Sequence, residues 1–145
     1  LVSFLMQTVQ IAVVLALGAL IFRYRPTGSL VALAAILLSF SAVLSALGVA
    51  LALWSRSRDA ALSLSNIIGM LAAGIGGSFS MVSSFPDWAQ HAARLSPAYW
   101  AITAIHEVSL DGASLADVGV RIGVLWGFFA VIAGLALVQF RYHRE

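Results

Sequence analysis

The chain has 145 residues, of which 61% are apolar and only 10% charged, with a formal net charge of +2. A soluble domain carries roughly 25% charged residues, so there are too few charges here for a water-facing surface; a soluble globular domain is excluded, and so is disorder, which needs low hydrophobicity. The basic residues are arginines scattered along the chain, with no lysine and no basic face for nucleic acid, and the absence of cysteine excludes disulfides and thiolate metal sites.

In chain order, four apolar runs are long enough to cross a bilayer as helices, which takes about 20 residues. The first covers residues 4–22 and ends in the turn Arg23-Tyr24-Arg25-Pro26-Thr27-Gly28. The second covers 29–54 without a single charge, and Arg56, Arg58 and Asp59 form a short polar link after it. The third covers 60–82. The fourth covers 115–140, preceded by the turn Asp111-Gly112 and by Ser114-x-x-Asp117, which reads as a capping box. Barrel strands would alternate apolar and polar residues over about 10 positions. These runs are apolar all round and longer, so the fold class is an all-α integral membrane protein. The whole chain forms one transmembrane unit without a domain boundary. It begins at Leu1 without a charged leader, and the expectation is a C-terminal piece of a longer protein.

The stretch 84–108 is different. Pro86 and Pro97 each suit the first position of a helix, Asp87 suits the first turn, and Ser96 suits a cap. Each helix would have about 10–12 residues, or roughly 15–18 Å, too short for a core of about 30 Å. The expectation is a re-entrant helical hairpin, with Trp88, Tyr99 and Trp100 at the interface. Small residues recur at spacing four: Ala42, Ala46 and Ala50; Gly69, Ala73 and Gly77; Gly119, Gly123 and Gly127. Such ladders let helix backbones approach closely in lipid.

No catalytic constellation stands out. Gly74-Ile75-Gly76-Gly77-Ser78 lacks the lysine of a phosphate-binding loop and lies in an apolar run; a closely packed helix end is the better reading. His91, His106 and His143 lie outside the four runs, so neither haem ligation between spans nor a metal cluster is expected. Gln7, Thr8, Gln10, Asn66 and Gln139 are polar groups within the runs, read first as inter-helix hydrogen-bonding groups and second as lining a substrate route. Glu107 is expected to pair with Arg94 or Arg121. The arginines divide four against four between the two sides, so charge does not decide orientation.

Taken together, these residues resemble the membrane (permease) subunit of type-2 ATP-binding-cassette (ABC) exporters. The resemblance rests on Gly74-Ile75-Gly76-Gly77-Ser78-Phe79, then Phe85-Pro86-Asp87-Trp88, then Leu95-Ser96-Pro97-Ala98-Tyr99-Trp100 and one last span, and on Ser45 to Asp59 with Gly48 and Ser55-Arg56-Ser57-Arg58. It covers nearly the whole chain; Arg23 and Arg25 on the outer side depart from the family pattern.

The resemblance implies alternating access between two permease halves, driven by a separate ABC ATPase subunit, with earlier spans before Leu1. It implies an outer gate at Pro86, Trp88, Pro97, Tyr99, Trp100 and Glu107, and an ATPase-facing loop at Trp54, Arg56, Arg58 and Asp59. It also implies a multi-pass protein of the cell's inner (plasma) membrane with a cytoplasmic C-terminus and no cofactor. The competing readings are a structural membrane anchor or assembly subunit, an ion-driven transporter fragment and, last, an intramembrane hydrolase.

Overall fold

The computed structural model describes residues 2–21, 29–78 and 82–142. The turn at 23–28, Phe79 and the tail at 143–145 lie outside the described residues. The elements are α-helices apart from one short 3-10 turn at Val82–Ser84: α1 (Val2–Ile21), α2 (Leu30–Trp54), α3 (Arg58–Ile75), α4 (Asp87–Ala93), α5 (Pro97–Leu110) and α6 (Gly119–Tyr142).

Local chemistry explains where these helices begin and end. Ser29 caps α2 by accepting from the Ala32 N–H at 3.4 Å, and Ser57 caps α3 by accepting from the Ala60 N–H at 3.2 Å. At the far end of α2 the Ser55 hydroxyl donates to the Leu51 carbonyl at 2.7 Å. The third apolar run does not continue to residue 82 as one helix: α3 stops at Ile75. Gly77 adopts φ 92°, the left-handed conformation that glycine enters freely. Its N–H donates to the Gly74 carbonyl and the Ser78 N–H to the Ala73 carbonyl, which closes the helix as a Schellman motif.

Two further boundaries differ from expectation. Pro86 is the N-cap of α4 rather than its first residue, which is Asp87. The fourth run becomes helical at Gly119, not at residue 115; residues 115–118 form turns. Half of the expected capping box is present there. The Ser114 N–H and hydroxyl both donate to Asp117 Oδ2, at 2.8 and 2.7 Å.

The most extensive helix pair is α2 with α6, and α5 packs on both. Ala32 and Ile36 of α2 meet Ala104 and Val108 of α5 and Val118 at the entry to α6. Further along, Val43 meets Ala101 and Leu125, with Phe40, Trp100, Phe128, Phe129 and Ile132 around them. Rising numbers in α2 and α6 therefore pair with falling numbers in α5: α2 and α6 run parallel, and α5 runs antiparallel to both. The 14 residues of α5 give it about 21 Å. It starts beside Val43, the middle of α2, and ends at the α2 and α6 starts.

Among the described residues, α2 and α6 are the two helices long and apolar enough to cross a membrane. The ladder Ala42, Ala46, Ala50 is buried, as close packing requires. The other two ladders are not covered in this way among the described residues, and Gly77, past the end of α3, does not continue the expected helical ladder of Gly69 and Ala73. A Cβ at Gly69, Gly119, Gly123 or Gly127 would meet nothing within 4 Å, and no residue of α3 is buried.

Candidate functional site: the hairpin junction and the polar link

The end of α3 and the start of α5 touch through backbone. A Cβ at Gly76 would lie 2.8 Å from the Ala98 Cβ and 2.9 Å from the Tyr99 nitrogen, so only glycine fits between them. Ser96, expected as a cap for α5, makes no capping bond. Its hydroxyl donates instead to the Ala72 carbonyl of α3 at 2.9 Å. A cap would satisfy one donor of its own helix; this bond fastens the hairpin turn to another helix.

The rest of the hairpin is stitched to itself. Gln90 Nε2 donates to the Phe85 carbonyl at 2.9 Å, and Trp100 Nε1 donates to the Arg94 carbonyl at 2.8 Å. The Tyr99 and Trp100 rings meet edge to face at 5.5 Å. Pro97 stands at the start of α5, as expected, where its missing N–H costs nothing. Pro86 and Trp88 are exposed, Trp88 at 75% and Leu95 at 78%. A pocket of about 240 Å³ opens beside the junction, lined by Gly76, Gly77, Ser83, Tyr99, Thr103 and His106 among others.

At the other end of α5, Glu107 pairs with Arg121 of α6, both side chains about a quarter exposed. Arg94, the other candidate, is not the partner found. The pair joins the hairpin to the last helix. The Arg121 Nε is buried without a hydrogen-bond partner among the described residues.

The link between α2 and α3 is tight. Trp54, Arg56, Arg58 and Asp59 are all exposed, and Asp59 lies in the first turn of α3. Gln7 is not an isolated polar group, since the Ser45 hydroxyl donates to Gln7 Oε1 at 3.0 Å and so joins α1 to α2. Of the histidines, His91 and His106 are exposed and His143 lies outside the described residues. Among the described residues no group of three His, Cys, Asp or Glu side chains is placed to hold a metal. Sequence reasoning does not reach the Gly76 approach, the Schellman end of α3 or the Ser96 bond as specific contacts; the Gly76-Gly77 pair before a Ser-Pro step is the one signal that points to them.

Two apolar helices long enough to span a bilayer, with two short helices between α3 and α6, α4 following Pro86 and α5 beginning at Pro97, fit a helical membrane protein. A family model described as ABC-2 family transporter protein matches residues 1–138. The chain belongs to that family and is a permease component of an ABC transporter. Neither the curated proteins nor the solved structures give a match.

Proposed function

We propose that the chain is the substrate-path subunit of an ATP-driven exporter, working by alternating access with a separate ATPase. The observation that supports this best is the start of α5 halfway along α2, beside Val43 and Leu125. A helix of about 21 Å that enters beside two spanning helices and returns fits a re-entrant hairpin. In this reading α1 and α3 also cross, which makes four spans, and the hairpin residues Pro86, Trp88, Pro97, Tyr99, Trp100 and Glu107 form the outer gate.

The link Trp54, Arg56, Arg58, Asp59 faces the ATPase in the cytoplasm, and the C-terminus lies on the same side of the cell's inner (plasma) membrane. ATP hydrolysis belongs to the partner. Closure of the ATPases shifts packed helices as rigid elements, the shear type of transition. The open positions Gly69 of α3 and Gly119, Gly123 and Gly127 of α6 pack against the other helices of the transporter, including those of a second permease copy.

The test is affinity purification of the full-length protein from its native membrane, followed by mass spectrometry. Stoichiometric recovery of a P-loop ATPase with nucleotide-dependent release of a transported compound is expected. Recovery of a stable complex without any ATPase subunit would overturn the exporter reading in favour of an assembly subunit.

A further inference from the structure

A groove of about 390 Å³ runs between the second half of α2 and the first half of α3, from Arg58 at its mouth to Gln7 of α1 at its far end. Its walls are mostly apolar, with Leu44, Val49 and Leu62 among them. From Leu44 to Ala52 the α2 wall is nine residues long, about 12 Å from first to last. One leaflet of hydrocarbon is about 15 Å deep, half of a core of about 30 Å. The groove therefore has the depth of part of one acyl chain.

Its mouth has the opposite character. Arg58 is the first residue of α3, with Arg56 exposed two residues earlier, and neither has an ion-pair partner among the described residues. The N-terminal end of α3 adds partial positive charge. Asp59, exposed in the same turn, is the one carboxylate beside them among the described residues. Two guanidinium groups and a helix N-terminus against one carboxylate leave the mouth positive. The exposed Trp54 beside it is a residue type that marks the headgroup level.

From this charge complementarity we infer that the groove seats one anionic phospholipid of the leaflet on the Trp54–Asp59 side. Its phosphate meets Arg58, in the bidentate manner that guanidinium favours, and one acyl chain lies along Leu44, Val49 and Leu62. The inference rests on the chain lying in a membrane, and not on which ATPase it meets or which way it transports.

Gly48 lines the groove, and a Cβ there would meet nothing within 4 Å. A Cβ at position 48 thus needs no backbone shift, and Gly48→Leu places its further carbons in the groove. The experiment uses the full-length transporter complex in nanodiscs of equal phosphatidylglycerol and phosphatidylcholine, with retained lipid read by native mass spectrometry. Wild type is expected to keep one phosphatidylglycerol per chain. Arg58→Gln should lower the preference for it about tenfold, and Gly48→Leu should abolish retention of either lipid. Wild-type retention in both variants would overturn the inference. A second readout attaches a benzophenone to Gly48→Cys, as the only cysteine of the complex. A lipid adduct supports the inference; an adduct to a protein segment overturns it and assigns the groove to a helix.

Discussion

The hydroxyl of Ser96, in the turn before α5, donates to the carbonyl of Ala72 near the end of α3, 24 positions earlier in the chain. The same carbonyl accepts from the Gly76 N–H at 2.8 Å. One oxygen thus serves both the closing turn of a helix and the attachment of the hairpin. Ser96→Ala is expected to destabilise the folded protein by about 1 kcal/mol, the net worth of such a bond, because Ala72 keeps its second donor. Thermal unfolding of the purified complex checks this, and an unchanged midpoint would show that the bond contributes nothing.

Gly76 should be far less forgiving. The neighbours of a new Cβ are the Ala72 carbonyl oxygen, the Ala98 Cβ and the Tyr99 backbone nitrogen, none of which moves without moving α3 or α5. Gly76→Ala is expected to cost about 1–3 kcal/mol, the range for overpacking. Gly123→Ala, where the added methyl meets nothing within 4 Å among the described residues, is expected to leave the isolated fold as stable or to gain up to about 1 kcal/mol from helix propensity. Paired melting curves in detergent distinguish the two positions. If Gly123→Ala weakens the assembled complex while sparing the isolated chain, its ladder packs against another chain.

Breaking the Glu107–Arg121 pair removes a charged bond between α5 and α6. Both side chains are mostly shielded, so Arg121→Gln is expected to cost about 1.5–3 kcal/mol, as for hydrogen bonds to charged groups. The exchange Glu107→Arg with Arg121→Glu should recover much of the loss. A double-mutant cycle measures the coupling; additive single effects would show that the two groups do not act as a pair.

Much of the helical layout is legible in the pattern of apolar residues alone. α2 carries no charged residue over its 25 residues, and α6 carries none between Arg121 near its start and Arg141 near its end; runs this long without alternation satisfy their backbone in lipid as helices, not as barrel strands. Pro97 marks the start of α5 because proline is tolerated there and seldom further in. The contacts of Ser96 are not legible, since serine before a proline serves equally as a cap or as a donor to a neighbour. The end of α3 is hidden because apolar residues continue past Ile75, and hydropathy does not register the positive φ of Gly77. Hydropathy is equally blind to which ladder is covered: Ala46 is buried by its neighbours whereas Gly123 is open, although both repeat at spacing four.

The turn before α6 carries a pH-sensitive bond. The backbone N–H of Ser114, and then its hydroxyl, hold the Asp117 carboxyl below its ordinary range. A carboxyl whose folded-state pKa is depressed contributes stability above the unfolded-state value and loses it as pH falls through the folded-state one. Hydrogen exchange of the Ser114 amide should be slow at neutral pH and accelerate only below the ordinary carboxylate range, relative to neighbouring amides. In Asp117→Asn that acid-dependent step is expected to vanish; its persistence would assign the step to another group.

The parallel course of α2 and α6, with α5 reversed between their first halves, also sorts the electrostatics of the bundle. The N-terminal ends of α2 and α6 gather at one pole with the C-terminal end of α5. Peptide dipoles make the first two ends attractive to anions, and Glu107, Asp111 and Asp117 are placed around that pole. The opposite pole receives the C-terminal end of α2, which attracts cations, and there the chain places Arg56 and Arg58. Asp111 and Asp117 thus stand by two helix N-terminal ends and Arg56 and Arg58 by the C-terminal end of α2, while Arg121 at the first pole is neutralised by Glu107 and the start of α3 at the second sets an opposing dipole, an arrangement that a bare tally of arginines does not reveal.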